Sequence, residues 1–452
     1  MREVRGPLTG WGRTAPSVAS IVDASVAELP ALLAAAGPRG LIARGLGRSY
    51  GDAAQNAGGT VLMPLTGALR VEPGDHGDHG RVVDVPAGQS LHELMVALLD
   101  QGLFVPVTPG TRYVTVGGAV ACDIHGKNHH RDGGFGDHVS TLDLMLADGT
   151  IRTIGPDRDA DLFWATVGGM GLTGVITRVV LRVVPIETAF MNVHTERVAD
   201  LDSLMRRMRE SDDQYPYSVA WIDTLARGRS MGRSVLTRAR HARVDELSGA
   251  ELRHPLAPPG GTRLSVPVPA PSGLISRPTV RVFNEVWFRK APRDRRDGIE
   301  SIAAYFHPLD GLGNWNRLYG RRGLVQYQLV VPQQAENAMV EALRIVSDHG
   351  AASFLAVLKR FGPANPGLLS FPMSGWTLAL DLAASPELAG MFHRLDTLVA
   401  RAGGRVYLAK DSRLPRPAFE AMYPEAERFR AVRADVDPGR VFQSDLSRRL
   451  GL

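Results

Sequence analysis

The chain has 452 residues, more than one hydrophobic core usually serves, so two domains, or a split domain with an insertion, is the expected layout. Its 44% hydrophobic and 22% charged residues lie close to soluble-protein averages, which excludes global disorder and a membrane-embedded bundle. A net charge of +5 is modest for this length and points to no nucleic-acid partner, while the single cysteine, Cys122, excludes an intrachain disulfide framework and leaves the redox compartment open.

The opening MREVRGPLTGWGRTAPS has no apolar stretch of signal-peptide type, and no run of about 18 apolar residues follows, so neither an export signal nor a spanning segment is expected. The first third alternates short apolar runs with helix-like stretches: ASIVDA, AELPALLAAAG, LIARG, TVLMPL and RVVDV. SLHELMVALLDQG predicts an amphipathic helix, because Leu91, Leu94, Met95, Leu98 and Leu99 recur at helical spacing behind Ser90 as N-cap. Over 107–175 glycine becomes dense, in PGT, VGGAVA, DGGFG and VGGMGLTG, ahead of the strand-like VITRVVLRVV. Such density predicts backbone that approaches a ligand or turns tightly.

From about 188 the texture changes to strand-like YSVAWID, VWFRK and LVQYQLVV, with a proline-rich stretch, HPLAPPGGTRLSVPVPAPSG, that reads as a mobile loop or flap. Six arginines, at 227, 229, 233, 238, 240 and 243, precede the first acid, Asp245; they read as a solvated or alternating strand face, with guidance of an anionic lipid surface as the functional alternative. AENAMVEALRIVSDHG and LAGMFHRLDTLVARAGG predict amphipathic helices ending at glycine. RAVRADVDPGRVF reads as a helix stopped near Pro438, in a segment expected to return to the N-terminal domain.

Three short patterns mislead. Gly169-Met170-Gly171-Leu172-Thr173-Gly174 matches GxGxxG but precedes a strand instead of opening a helix, so it is no Rossmann fingerprint. Gly47-Arg48-Ser49-Tyr50-Gly51 matches the GxSxG elbow of a serine hydrolase, yet DAAQNAGG after it is not the long helix that an elbow requires. His125-Gly126-Lys127-Asn128-His129-His130 has histidines, but Gly126 disfavours the helix that would face two of them together, so no metal site is expected. The coherent reading is two anion cradles. One is the glycine-punctuated loop Arg44-Gly45-Leu46-Gly47-Arg48-Ser49-Tyr50-Gly51-Asp52; the other is Pro109-Gly110-Thr111 with Thr115-Val116-Gly117-Gly118, whose paired glycines could open a helix with an anion-favouring N-terminus. Two cradles imply a dinucleotide.

RGLGRSYGD, PGT-x-x-VTVGGAVACDIHGKNHH, FWATVGGMGLTG, HPLDGLGNWNRLYG and VDPGRVF together resemble the decaprenylphosphoryl-ribose oxidases, a branch of the vanillyl-alcohol-oxidase family, over nearly the whole chain; about 188–275 matches least. The resemblance implies an α+β fold: a two-subdomain FAD-binding fold of the vanillyl-alcohol-oxidase (PCMH) type, and a substrate domain with an antiparallel sheet and flanking helices. It implies FAD binding by 1–187 and a C-terminal return at 405–452, with 188–404 as the substrate domain. Carried over residue by residue, the FAD-lining set is Ala43, Arg44, Gly45, Leu46, Gly47, Arg48, Ser49, Tyr50, Gly51, Asp52, Ala53, Gly110, Thr115, Val116, Gly117, Gly118, Cys122, Asp123, Ile124, His125, Ile176 and Tyr407. Many relatives attach flavin through a histidine in the first glycine loop; this loop has none, so FAD is expected to be non-covalent.

Flavin oxidation of a secondary alcohol needs a base or ordered water for the hydroxyl proton and a positive group near the developing charge. Lysine serves either need. By resemblance Lys410 is the first catalytic candidate, with His125 and Lys127 in the same pocket and Lys359 closing it; Trp221, Gln326, Gln328, Phe361 and Ala379 are matched to the substrate pocket. Many family members carry a cysteine in the segment GW-x-x-C-x-D where this chain has Ala379, so inactivators that trap that thiol are expected to fail here. The implied activity is oxidation of the 2′-hydroxyl of a polyprenyl-phosphoryl ribose to the 2′-keto sugar, the first half of epimerisation to the arabinose donor of cell-wall arabinan. A separate NAD(P)H-dependent keto-reductase and peripheral contact with membrane lipid are the implied partners. The rival readings are an oxidase of a soluble polyol or sugar acid, a serine hydrolase using Ser49, and a catalytically idle flavin scaffold.

Overall fold

The computed structural model describes residues 1–65, 67, 69–75, 81–262, 264–271 and 273–452. The N-terminal part builds two sheets. Arg2–Leu8, Ser17–Asp23, Thr60–Leu62 and Leu41–Ala43 lie side by side, the first pair antiparallel and the others parallel. Arg70–Asp75, Arg81–Pro86, Val175–Arg182, Val139–Met145 and Ile151–Ile154 form a five-stranded antiparallel sheet in that spatial order. The helix Leu91–Leu99 starts at a capping box, in which Ser90 Oγ accepts from Glu93 N and the Glu93 carboxylate accepts from Ser90 N. Its five apolar residues are fully buried against that sheet, as their spacing requires.

Residues 190–406 supply an eight-stranded sheet of antiparallel neighbours. Its order is Asp294–Ser301, Phe190–Val198, Ser234–His241, Tyr217–Ile222, Ala356–Phe361, Gly375–Ala383, Leu324–Pro332 and Arg405–Val406. The helices Glu336–His349 and Ala389–Arg401 pack on one of its faces through Met339, Leu343, Val346, Leu395 and Val399. Leu329, Leu358, Leu378 and Leu380 meet them from the sheet, which leaves the opposite face for other chemistry. The chain end then returns to the first sheet. Leu41 N donates to Val441 O (2.7 Å), and Arg449 grips Asp52 (2.8 Å) and Asp411 (2.9 Å) together.

Two readings of the sequence are corrected. VWFRK is the end of a helix, Arg277–Lys290, not a strand: five residues cannot separate the two periods, and the decisive contacts, Val280 and Asn284 turned inward, lie one and two turns upstream. The arginine run is not a free basic face. Arg238 is buried against Glu196, Arg233 pairs with Asp223 and Glu285 (both 2.7 Å), Arg240 pairs with Glu246, and Arg227 donates to Ser347 O (2.8 Å). Glu196 and Glu285 are distant in sequence, so a local reading could not see them; Arg233, Arg238 and Arg240, with their charges matched, have none to spare for a lipid surface. Within the proline-rich stretch only Leu264–Ser265 is a strand, paired with Leu312–Gly313, while Arg263 and Ser272 lie outside the described residues.

The Arg449 clasp joins the chain terminus to both loops that it touches. Arg449→Ala leaves the buried Asp411 without its cation and is expected to cost roughly 2–3 kcal/mol, less than a fully buried pair because Arg449 retains some exposure. Urea denaturation of the FAD-loaded variant measures the loss; an unchanged midpoint would show the clasp to be incidental.

Candidate active site

The strand Leu41–Ala43 delivers the chain into the loop 44–53. Arg44 fixes the loop's base by donating to Thr9 O (2.7 Å) and Ala54 O (2.9 Å). The amides of residues 45–49 have no acceptor among the described residues, whereas Tyr50 N donates to Ala409 O (2.9 Å). Beside them lies a cavity that encloses about 720 Å³ with its solvent-open mouth included. Gly45 and Ser49, whose amides are among the free ones, border this cavity, and free backbone amides suit a pyrophosphate.

Ala43, Arg44, Gly45, Ser49 and Ala53 line this cavity, with Thr115, Gly117, Gly118, Cys122 and Ile176. Gly45 is required by close approach, since a Cβ there would collide with Thr115 Oγ1. Other lining groups were not named from the sequence: Met63, Pro64, Leu65 and Gly88 from loops without any motif, and Met170, Gly171 and Gly174 from the third glycine cluster. The second anion cradle is not formed as expected. In the helix Val116–Ala121, Val116 N donates to Gln89 O, Gly117 N to Ala87 O and Gly118 N to the capping Thr115 Oγ1, so its first amides are already spent.

Leu46, Gly47, Arg48, Gly51, Asp52, Gly110, Val116, Asp123 and Ile124 are not among the cavity-lining residues. Arg48 stacks over Trp11 (4.0 Å), Val116 and Ile124 belong to the core, Asp52 serves Arg449, and Asp123 accepts from Gly136 N (2.9 Å) and Asn365 Nδ2 (2.8 Å). A Cβ at Gly51 would collide with the Asp411 carbonyl, so this glycine lets the loop pack on the turn that carries Lys410. Ser49 Oγ lies 3.9 Å from Cys122 Sγ and contacts no histidine among the described residues, which removes the hydrolase reading. His129 Nδ1 accepts from Gly362 N and His130 Nε2 faces Tyr215 O, so the two rings serve different loops.

The substrate candidates share one face of the large sheet. Cross-strand register places Trp221 opposite Val357, Val357 opposite Ala379 and Ala379 opposite Gln328; Lys359 faces Thr377, and Gln326 faces Asp381. Strand alternation then puts Trp221, Lys359, Phe361, Ala379, Gln326 and Gln328 on that face. Gln328 donates to His125 Nε2 (2.9 Å), which fits an imidazole held neutral by burial; its ring packs against Phe361 (4.8 Å), Tyr407 (5.2 Å) and Phe371 (5.6 Å). Tyr407 OH donates to Cys122 O (2.8 Å), tying this face to the cavity wall. Trp221 Nε1 donates to Phe354 O (3.0 Å).

Three lysines converge. Lys410 Nζ sits 4.2 Å above the Tyr50 ring, and Lys127 Nζ donates to Tyr305 O and lies 4.0 Å from its ring centre. Burial pushes Lys127 down to about 7, and burial, with the charges of Lys127 and Lys410 behind it, does the same to Lys359. Lys410 is also depressed by burial, although Asp381 opposes the shift, and the Asp381 carboxyl is in turn raised by burial. Asp381 Oδ1 accepts from Gln326 Nε2 while Oδ2 has no hydrogen-bond partner. Its role was missed in the sequence, where the signal was present: a carboxylate inside the otherwise apolar strand GWTLALD.

Residues 20–155 match the FAD binding domain family, and residues 380–450 match the D-arabinono-1,4-lactone oxidase family. The chain is 44% identical over 452 residues, 98% of its length and 97% of the relative's, to the decaprenylphosphoryl-beta-D-ribose oxidase of Mycolicibacterium smegmatis. It is 42% identical over 80% of its length to an uncharacterized protein of Streptomyces coelicolor, covering 100% of that protein. It is 25% identical over 443 residues, 96% of both chains, to the L-gulono-1,4-lactone dehydrogenase of Mycobacterium tuberculosis. The cofactor is therefore FAD.

No histidine lines the cavity among the described residues, and burial raises the Cys122 thiol to about 11, which keeps it protonated and unreactive. Acid precipitation is accordingly expected to release all yellow chromophore to the supernatant; flavin fluorescence retained in a denatured gel band would contradict this. The lysine cluster sets a second expectation. Folded Lys127 and Lys359 titrate near 7 against an ordinary 10.5, so between these values the unfolded chain binds more protons and stability rises with pH. Denaturation midpoints are expected to climb from about pH 7 to about pH 9, and to climb less in Lys359→Met.

Proposed function

Since the chain belongs to the decaprenylphosphoryl-ribose oxidase family of FAD-dependent oxidoreductases, we propose that it oxidises the 2′-hydroxyl of decaprenylphosphoryl-β-D-ribose to the 2′-ketone. We assign 1–187 and 405–452 to FAD binding and 188–404 to the substrate. The observation that carries the reading is the convergence of Lys127, Lys359 and Lys410 with one carboxylate, Asp381, on the sheet face beside the flavin cavity. Such an excess of half-buried cations favours an anionic ligand, and the substrate's phosphoryl group is one.

FAD, when bound, accepts the hydride from the sugar carbon. Lys410 takes the hydroxyl proton: burial keeps its amine partly unprotonated near neutral pH, and Asp381 holds the resulting ammonium. Lys127 and Lys359 bind the phosphoryl oxygens as cations, and the bound anion raises their proton affinity. Gln328 orients the neutral His125 ring. Trp221, Phe361 and Ala379 bound the sugar site, with Ala379 giving room and no thiol.

The product ketone requires an NAD(P)H-dependent keto-reductase to become the arabinose epimer, and the polyprenyl chain keeps the enzyme peripherally at the cytoplasmic membrane. No helix among the described residues is long and apolar enough to cross a membrane.

Anaerobic mixing of the FAD-loaded protein with the lipid-linked ribose is expected to bleach the flavin, whereas a soluble aldonolactone leaves it oxidised. Lys410→Ala is expected to slow bleaching by roughly 10²–10³-fold, the usual effect of losing one preorganised charged group. FAD content of the variant is measured alongside, and a near-normal reduction rate would remove Lys410 from the chemistry.

A further inference from the structure

The helix Arg277–Lys290 is built inside out. Its protein-facing contacts are largely polar: the fully buried Asn284 donates to Asp223 Oδ1 (2.7 Å), Glu285 pairs with Arg233 (2.7 Å), and Phe288 sits under the guanidinium of Arg233 (4.9 Å). Its outward face is apolar, with Val282 66%, Phe283 42%, Val286 59% and Trp287 44% exposed at i, i+1, i+4 and i+5. Phe283 and Trp287 stack on each other (5.9 Å), which presents one flat surface. The segment that leads into the helix also exposes large apolar side chains, Leu264 at 71% and Val268 at 65%. A soluble surface rarely concentrates large apolar side chains in this way.

Charge and position decide what covers it. The helix carries Arg277, Arg281, Arg289 and Lys290 against a single acid, Glu285, which is turned to Arg233 and Arg289. Arg281 and Lys290 are exposed and have no carboxylate in salt-bridge range among the described residues. An apolar stripe flanked by unmatched cations complements an anionic lipid surface. The stripe also leads to the active site. Phe283 meets Phe354 (5.6 Å), Phe354 stacks on Tyr319 (5.6 Å), and Tyr319 shares a cluster with Tyr50, the ring beneath Lys410.

We propose that the exposed face of the helix Arg277–Lys290 docks the protein on an anionic lipid bilayer, with the active site opening beside it. The proposal deepens the lipid-linked reading of the substrate and rests on it for biological sense, although the surface itself is argued from exposure and charge. The helix lies in the headgroup plane, Val282, Val286 and Trp287 dip below it, and Arg281 and Lys290 stay at phosphate level. Substrate then slides in laterally while its polyprenyl chain remains in the bilayer.

The test uses FAD-loaded full-length protein and vesicles of phosphatidylcholine with or without phosphatidylglycerol. Wild type is expected to co-sediment with the phosphatidylglycerol vesicles; Val286→Ser/Trp287→Ser is expected to weaken this roughly tenfold or more. Arg281→Gln/Lys290→Gln is expected to weaken it at low salt and to abolish its salt sensitivity. Flavin reduction by a short-chain water-soluble phosphoryl ribose is expected to be unchanged in both. Should the serine variant fold poorly, a polarity-sensitive dye on Val282→Cys reports insertion independently, because Cys122 is shielded inside the flavin cavity; a blue shift on phosphatidylglycerol vesicles supports docking and its absence overturns it. Wild type that ignores the vesicles, or a dimer that the serine variant converts to monomer without vesicle binding, overturns the proposal. Vesicle binding without flavin reduction by any phosphoryl ribose instead removes the proposed substrate and leaves the docking surface standing.

Discussion

The site depends on one close approach, the contact of the glycine loop 44–53 with the turn 407–413. Gly51 lies against the Asp411 carbonyl where no Cβ fits, Tyr50 N donates to Ala409 O, and Arg449 spans Asp52 and Asp411. Because these contacts fix two loops 360 residues apart in sequence, Gly45 and Ser49 border the cavity on one side while Lys410 stands over Tyr50 on the other. The residues proposed for cofactor binding and for proton transfer thereby share one seam. A residue larger than glycine at position 51 would move the lysine and the amides together.

Behind that seam the eight-stranded sheet divides labour by face. The pleat sends Leu329, Leu358, Leu378 and Leu380 to the helices and sends Gln326, Gln328, Lys359, Ala379 and Asp381 to the site. Half-burying three lysines with one buried carboxylate is costly, and the depressed proton affinities of the lysines express that cost. The same arrangement makes an anionic ligand a stabilising component. It also leaves more of Lys410 unprotonated near neutral pH than an exposed lysine would be, so one physical cause, desolvation, underlies both proposed roles.

The basic character of the chain follows the same logic at the surface. Arginines 233, 238 and 240 are matched by Asp223, Glu285, Glu196 and Glu246. Arg281 and Lys290, without a carboxylate partner among the described residues, lie on the Arg277–Lys290 helix beside its outward apolar face.

Much of this was legible in the sequence because it is local or periodic. Ser90 and the leucines behind it specify their helix without help, the glycine spacing of 44–52 marks a ligand loop, and the motif set from RGLGRSYGD to VDPGRVF identifies the family. What the sequence could not decide depends on partners distant along the chain. Whether the amides at 116–118 are free is settled by Gln89 and Ala87; whether Arg238 is a surface charge is settled by Glu196; whether Asp381 matters is settled by the burial of Lys410 beside it. VWFRK turned helical because Val280 and Asn284, outside the pattern, set which face is buried. Sequence determines where backbone conformations are allowed and where apolar faces repeat; only tertiary packing determines which polar groups are satisfied, and therefore which remain to do chemistry.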